Sequence, residues 1–271
     1  MAKTEPIPAW KKYVAEFLGT FTLLFAGLGA GVFLSYTDSG NTVNAGFIAL
    51  AVGGSIAWGI YAWGNISGGH YNPGVTVAFA AAGRMNLWDV IPYWIAQLMG
   101  GITGLGVVYG IASGYPAPTH STSIAVVTAM ASNGYAGNGS PYAFGAGSVL
   151  LLEIAASFLF YLVILFVTDK QAWKGFHGLA IGGVLSVLVL VGMTVDGAGY
   201  NPARSTASAL WAVAAGVGGW PMIQLWAFWA GPFIGAVLAA VVWRAINTEP
   251  SEPPAVEAKP TAARSSDPEK R

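Results

Sequence analysis

The sequence contains no cysteine, only three histidines and few charged residues, which make up 9% of its 271 positions. An ordinary soluble domain carries about 25% charged residues. Without cysteine the chain can form no disulfide, no thiolate metal site and no cysteine nucleophile. The histidines, His70, His120 and His177, are too scattered along the sequence to indicate a metal site. We therefore expect neither a bound metal nor any other cofactor.

An excess of either charge sign is also missing. Twelve Lys and Arg residues balance twelve Asp and Glu residues, so the formal net charge is zero. A protein without a basic excess has no electrostatic means of holding a phosphate backbone, and we expect no nucleic-acid partner. Hydrophobic residues make up 55% of the chain. This composition is typical of a protein whose partner is the lipid bilayer.

Six apolar stretches are long enough to cross roughly 30 Å of hydrocarbon at about 1.5 Å per residue. They lie at about 13–35, 45–65, 89–110, 148–168, 177–195 and 222–244. The first is too long for a cleaved secretory signal and is expected to remain as a span. Two further apolar segments, 73–82 and 202–212, reach only about half the membrane depth. The predicted fold class is an all-α membrane protein with six transmembrane helices and two re-entrant half-helices.

The basic residues predict the orientation of these spans. All of the twelve Lys and Arg residues except Arg204 lie at the chain ends or in the second-to-third and fourth-to-fifth connections. The positive-inside rule therefore places both termini in the cytoplasm, with the plasma membrane as the expected location. Residues 1–12 form the predicted cytoplasmic N-terminus, 111–147 an extracellular connecting loop, and 245–271 a disordered cytoplasmic tail.

The two halves of the chain, 13–110 and 148–244, match each other in landmarks and in order. The matched residues are Glu16 with Glu153, Asn72-Pro73-Gly74 with Asn201-Pro202-Ala203, and Gly100 and Gly104 with Gly231 and Gly235. Because each half holds three crossings, the second half must enter from the opposite face. The pattern predicts an inverted-topology repeat whose functional centre lies near the midplane. The paired glycines predict close helix contacts.

Glu16 and Glu153 are carboxylates at membrane depth. We expect each of them to accept hydrogen bonds from donors that broken helices leave without partners, which is a structural role. A proton relay is the alternative reading, since ionisable groups within a membrane are often functional.

Each Asn-Pro dipeptide predicts the start of a short helix. An Asn at the N-cap satisfies free backbone N–H groups, and Pro at the first helical position loses no hydrogen bond. Both short helices begin inside the bilayer, so their positive ends, each equivalent to roughly half an elementary charge, would face each other across the midplane. A cation at that point would meet a repulsive field.

The segments 67–76, SGGHYNPGVT, and 199–205, GYNPARS, resemble the twin signature loops of the major intrinsic protein family, the aquaporins and glycerol facilitators. The resemblance extends over about 13–244. It implies a passive channel for water and small neutral solutes such as glycerol, closed to ions and protons, and assembled as a homotetramer. It also implies that the amides of Asn72 and Asn201 donate to passing water, with acceptors supplied by the backbone carbonyls of Gly69, His70, Tyr71, Gly197, Ala198 and Gly199. Gly74 departs from the family, which usually has alanine there.

The resemblance also implies a selectivity filter formed by Val52, Val189, Ala198 and Arg204. Arg204 would hydrogen-bond solute oxygens and repel cations. Water-selective members typically carry an aromatic residue and a histidine at the first two positions, so two valines predict a wider and more apolar passage. An alignment slip of one helical step would instead make the valines ordinary packing. Glycerol facilitators usually have Asp after the motif arginine, whereas this chain has Ser205, so it fits neither subfamily.

Other functional classes remain as alternatives. An inverted-repeat secondary transporter also uses broken helices at the midplane. Apart from Glu16 and Glu153, the sequence offers it no evident intramembrane acid or base for coupling an ion. An enzyme is not expected because no nucleophile-base pair or metal cluster is apparent. A purely structural, junction-forming role would leave the protein with negligible permeability.

Overall fold

The computed structural model describes residues 7–34, 42–114, 129–173 and 175–247. All regular structure within these ranges is helical, which confirms the predicted all-α class. The helices are α1 (Ala9–Leu34, with a π-helical segment at Leu23–Leu28), α2 (Thr42–Ser67), α3 (Pro73–Ala81), α4 (Val90–Ala112, after a 3-10 turn at Leu87–Asp89), α5 (Ala146–Val167), α6 (His177–Gly192), α7 (Pro202–Ala214), α8 (Trp220–Gln224) and α9 (Ala227–Ile246). The parts of the predicted termini and connecting loop at 1–6, 115–128 and 248–271 lie outside the described residues.

Five helical segments of the described chain are long and apolar enough to cross a membrane: α1, α2, the segment ending in α4, α5, and the segment formed by α8 and α9. The fifth predicted span, 177–195, is shorter than expected, because α6 ends at Gly192 after 16 residues. That length covers only about 24 Å at 1.5 Å per residue. The helix stops there because the amides of Val195 and Asp196 both bond to the Gly192 carbonyl, which turns the chain toward the second Asn-Pro motif.

The two half-helices are α3 and α7, and their bounds differ slightly from the predicted 73–82 and 202–212. Helix α3 has nine residues and ends one residue early, because Ala82 forms its C-cap. Helix α7 has 13 residues and continues to Ala214, two residues further than predicted. At 1.5 Å per residue these lengths correspond to about 14 and 20 Å, so neither helix could cross a bilayer by itself.

The half-helices pack crosswise between the two halves of the chain. Helix α3 contacts α9 most extensively, and helix α7 contacts α4 most extensively. Around them, α1 packs on α4, α5 packs on α9, and α2 packs on α6. Each re-entrant helix is thus held mainly by the third span of the other half, which brings the two Asn-Pro ends to the same level.

Paired glycines allow these helices to approach each other closely. A Cβ added at Gly100 on α4 would lie 2.3 Å from the carbonyl oxygen of Phe17 on α1. In the second half, a Cβ at Gly231 on α9 would lie 2.5 Å from the Cβ of Glu153 on α5. Neither distance leaves room for a side chain, so the predicted close contacts at the glycine pairs are confirmed.

Arg84 ties the end of the first half-helix to the end of α5. Its guanidinium donates to the carbonyl oxygens of Leu165 and Thr168, both at 2.7 Å, and lies over the rings of Phe79 and Trp243. These carbonyls belong to the last turn of α5, where helix oxygens lack partners within the helix. Burial lowers the pKa of Arg84 from its ordinary value. The contact fixes the C-terminal end of α3, which is the end away from the Asn-Pro motif.

Candidate functional site

Asn72 and Asn201 cap the two half-helices with their side-chain oxygens. The Oδ1 atom of Asn72 accepts from the Gly74 amide at 2.8 Å. The Oδ1 atom of Asn201 accepts from the amides of Ala203 at 3.0 Å and Arg204 at 3.2 Å. Pro73 and Pro202 follow at the first helical position, where proline loses no hydrogen bond. Each carboxamide is therefore oriented with its oxygen toward its own helix and its nitrogen away from it.

The two carboxamide nitrogens cross over to the opposite motif. Asn72 donates from Nδ2 to the carbonyl oxygen of Tyr200 at 2.8 Å, and Asn201 donates from Nδ2 to the carbonyl oxygen of Tyr71 at 3.0 Å. A carboxamide nitrogen carries two hydrogens. One hydrogen of each asparagine is thus used to join the motifs, and the sequence positions predicted to meet at the midplane do lie together.

The tyrosines before the motifs have an unusual backbone conformation. Tyr71 has φ +50° and Tyr200 has φ +54°, in the left-handed region that bulky residues rarely adopt. Each ring is fully buried, and each hydroxyl donates to the carbonyl of the residue twelve positions earlier, Gly59 at 3.0 Å and Leu188 at 3.1 Å. Anchoring of the side chains holds the strained turns, which aim the Tyr carbonyls at the opposite asparagines.

Glu16 supports the loop before the first motif. Its carboxylate is fully buried and accepts four hydrogen bonds. The donors are the Ser67 hydroxyl at 2.6 Å, the amides of His70 at 3.0 Å and Tyr71 at 2.7 Å, and Gln97 Nε2 at 2.7 Å. The two amides belong to the re-entrant loop, which cannot satisfy them by forming helix.

Glu153 has the corresponding place in the second half. It is also fully buried and accepts from the amides of Gly199 and Tyr200, both at 2.9 Å. A third acid, Asp196, is fully buried beside it and accepts from the Ala198 amide at 2.8 Å. The sequence analysis named Glu16 and Glu153 as carboxylates at membrane depth, and the structure adds Asp196 to the buried acids beside the second motif. Asp196 was missed because it follows what looked like the end of an uninterrupted span.

The predicted acceptor carbonyls divide into two groups. The Tyr71 oxygen accepts from Asn201, and the Gly197 oxygen accepts from Arg204 at 2.9 Å. Within the described part of the chain, no hydrogen bond reaches the carbonyl oxygens of Gly69, His70, Ala198 or Gly199. The second group thus retains free acceptors next to the asparagines. The His70 ring is held by its Nδ1 atom, which lies 3.1 Å from the Thr76 hydroxyl.

Arg204 is held by a network that includes a residue of the connecting loop. Its side chain is only 6% exposed. One guanidinium nitrogen donates to Asn133 Oδ1 and lies 3.3 Å from the Ser208 hydroxyl, and the other donates to the Gly197 carbonyl. Asn133 in turn accepts from the Ser205 hydroxyl at 2.7 Å and donates to the Asp196 carbonyl at 3.1 Å. No sequence signal pointed to Asn133, because its loop has no periodicity or recognisable motif.

The other three predicted filter residues are apolar and nearly buried. Val52, Val189 and Ala198 are 8%, 5% and 6% exposed and belong to one apolar cluster. Ala198, at φ +56°, lies in the turn that leads into the second motif, next to the Gly197 carbonyl that binds Arg204. Ala198 and Arg204 are therefore close to each other.

Sequence comparison places the chain among known relatives. Residues 3–243 match the model of the family described as major intrinsic protein. The chain is 41% identical over 241 residues to Aquaporin Z of Bradyrhizobium diazoefficiens, an alignment that covers 89% of this chain and 95% of the relative. Proteins of the same name from Photorhabdus laumondii and Rhodopseudomonas palustris are each 39% identical, covering 88% and 89% of this chain and 98% and 95% of those relatives.

A comparison of structures gives the same fold. The solved structure of the aquaglyceroporin from Plasmodium falciparum aligns with a TM-score of 0.70 at 23% identity, covering 87% of this chain and 96% of that one. At this level of identity the likeness concerns the arrangement of helices and half-helices.

Proposed function

This chain belongs to the major intrinsic protein family, and we infer that it is a multi-pass membrane protein that conducts water passively. Large apolar side chains such as Leu50, Trp58 and Ile95 are 58–64% exposed, as lipid-facing residues are. The conducting path we propose runs past the two Asn-Pro motifs. Members of this family are channels, and we propose no enzymatic reaction for this chain.

The observation that carries the proposal is the reciprocal bonding of the two asparagines. Asn72 and Asn201 each use the oxygen to cap a helix and one N–H to bind the opposite loop. The second N–H of each amide is free to donate to the oxygen of a passing water. The carbonyls of Gly69, His70, Ala198 and Gly199 would accept from the waters before and after it.

This geometry accounts for the exclusion of protons and cations. A water whose oxygen accepts from both asparagines donates to the waters on either side and accepts from neither, which interrupts the file along which a proton would hop. The positive ends of α3 and α7, each equivalent to roughly half an elementary charge, repel a cation at the same place. A dehydrated cation also finds too few oxygens there to replace its water.

We propose that Val52, Val189, Ala198 and Arg204 form the outer filter. Arg204 offers N–H donors to solute oxygens and repels cations. The small apolar side chains opposite leave more room than an aromatic residue and a histidine would. The filter should therefore admit a small linear solute such as glycerol as well as water.

Two further proposals concern location and assembly. The distribution of Lys and Arg supports a plasma-membrane protein with both termini in the cytoplasm. Membership of the family supports a homotetramer with one pore in each subunit. A transporter reading is less favoured, because the carboxylates of Glu16 and Glu153 are occupied by loop amides that a coupled ion would have to displace.

The function is tested with the full-length protein in liposomes. We expect a rise in osmotic water permeability with a low activation energy, measured by stopped-flow light scattering, because water passes a preformed path. Glycerol should enter as well, and planar bilayers should carry no current. An ohmic sodium or proton conductance through the wild-type protein would contradict the mechanism, and saturable, gradient-driven uptake would favour a transporter.

A second experiment tests the role of Asn133. Replacing it with alanine removes the side-chain acceptor for Arg204 and Ser205. Leaving these two donors without their acceptor costs about 2–6 kcal/mol, at about 1–3 kcal/mol each, which is small beside most of the roughly 5–15 kcal/mol range of a typical domain, so the protein should still fold. We expect the ratio of glycerol to water permeability to change about threefold or more as Arg204 becomes mobile.

Asn138 provides the matched control for this variant. It is an exposed asparagine of the same loop, and Asn138→Ala should leave the ratio unchanged. Equal ratios in the Asn133 variant, the Asn138 variant and the wild type would show that Asn133 does not position the filter arginine.

A further inference from the structure

The hydroxyl of Tyr161, on α5, lies where the two motifs meet. It donates to the Tyr200 carbonyl at 2.7 Å, and the same carbonyl accepts from Asn72. It also lies 3.5 Å from the Oδ1 atom of Asn72. The Tyr161 side chain is fully buried. A third polar side chain thus joins the asparagine pair, and it comes from a membrane-spanning helix.

Gly74 makes room for this tyrosine. A Cβ built at Gly74 would lie 2.1 Å from the Tyr161 hydroxyl oxygen, 2.6 Å from Cζ and 2.9 Å from Cε2. Real contacts of a Cβ atom are essentially never below 3.0 Å. An alanine at position 74 and a tyrosine at position 161 therefore cannot coexist without moving one of them. Gly74 and Tyr161 are therefore sterically matched, because the missing side chain at position 74 leaves the space that the tyrosine fills.

In the internal repeat, the positions that correspond to Gly74 and Tyr161 hold a different pair of residues. Tyr161 lies eight residues after Glu153, and the residue eight positions after Glu16 is Leu24. The counterpart of Gly74 in the second motif is Ala203. The Leu24 side chain and the Ala203 carbonyl both lie within 3.6 Å of the point where a Cβ on Gly101 would be. One side of the midplane thus has alanine with leucine, and the other has glycine with tyrosine.

We propose that Tyr161 is a specificity-determining residue, which makes the midplane beside Asn72 a second step, in series with Arg204 of the outer filter, that discriminates water from three-carbon polyols. The inference rests on the proposed channel function. The hydroxyl hydrogen is committed to the Tyr200 carbonyl, so Tyr161 offers a passing solute only an acceptor oxygen and the edge of a rigid ring. Water needs only the free N–H groups of the asparagines, whereas a polyol needs additional width. The small residues of the outer filter do not supply this discrimination.

The test places at positions 74 and 161 the alanine and leucine that the chain already has at positions 203 and 24. Gly74→Ala alone should lower water permeability, because its methyl group meets the tyrosine. Adding Tyr161→Leu should restore water flow. The double variant should raise the ratio of glycerol to water permeability about tenfold over wild type, since a bulky polar group is lost from the passage.

Two further variants keep the result interpretable. Phe160→Leu changes the adjacent buried aromatic residue on the same helix and should leave the ratio as in wild type. Tyr161→Phe keeps the ring and removes only the hydroxyl, and should raise the ratio about threefold. If the double variant does not fold, Tyr161→Phe alone tests whether Tyr161 determines the ratio of glycerol to water permeability.

The outcomes separate the inference from the proposed function. A ratio in the folded double variant, or in Tyr161→Phe, that equals the wild-type ratio overturns the role of Tyr161 while leaving the channel intact. A wild-type protein that conducts no water overturns the channel function and the role of Tyr161 with it. Restored water flow together with a raised ratio supports both.

Discussion

A Glu16→Ala variant is expected to lose the folded channel. The carboxylate accepts from four buried or partly buried donors, and two of them are backbone amides of the re-entrant loop. An unsatisfied buried donor costs about 1–3 kcal/mol, so four would cost about 4–12 kcal/mol. That approaches the whole stability of a typical domain, about 5–15 kcal/mol. Size-exclusion chromatography in detergent and thermal unfolding should show aggregated or strongly destabilised protein.

Glu16→Gln is the matched control because it keeps the shape of the side chain. Its remaining oxygen can still accept from Ser67 and His70, whereas its new amide nitrogen faces two donors. Gln97 can respond by turning its own amide, since its Oε1 has no hydrogen-bond partner among the described residues. The loss should then be close to one donor, about 1–3 kcal/mol. A Glu16→Ala protein that melts like wild type would refute the structural role of this carboxylate.

An Arg204→Val variant should pass ions that the wild type excludes. The guanidinium is the charged group of the proposed outer filter, and valine would turn that filter into an entirely apolar and wider opening. We expect a small but measurable cation current in planar bilayers, because one of the two barriers is lost while the positive ends of α3 and α7 remain. The ratio of glycerol to water permeability should rise about tenfold or more.

Arg204→Lys separates the charge from the geometry. Lysine keeps a positive charge but lacks the planar fork that reaches both Asn133 and the Gly197 carbonyl. This variant should still exclude cations while its solute ratio shifts. Cation currents of equal size in the Val and Lys variants would mean that charge at this position is not what excludes ions, and no current in either would place the ion barrier elsewhere.

Local sequence signals were sufficient for the elements that depend on neighbouring residues. Asn followed by Pro predicts a capped helix start, and both half-helices begin where the dipeptides are. Twenty-residue apolar runs predict spans by length alone. The fifth span was the exception, because α6 and the re-entrant loop after it share an apolar composition. Hydropathy cannot distinguish a helix from a buried turn of the same residues.

The contacts that organise the site could not be predicted because they join distant parts of the chain. Asn72 binds Tyr200, 128 positions away, and Arg204 binds Asn133, 71 positions away. Tyr200 belongs to the second signature loop, but the loop's sequence does not show that its carbonyl faces Asn72, and Asn133 belongs to no recognisable motif. Tyr161 could have been found from the repeat, since it replaces Leu24 at the same offset from a glutamate. Its meaning depends on the distance to Gly74, which only the fold provides.

The crosswise packing of the half-helices has a consequence for how the chain matures. Helix α3 has its most extensive contacts with α9, the last described helix to leave the ribosome. When α3 is made, the surface that will hold it does not yet exist, and its polar end has no partner motif across the membrane. The conducting centre should therefore assemble only after translation of the final span, as a late and concerted docking of both re-entrant segments. Truncation before α9 would remove the support of the first signature loop, although every residue of that loop would be present.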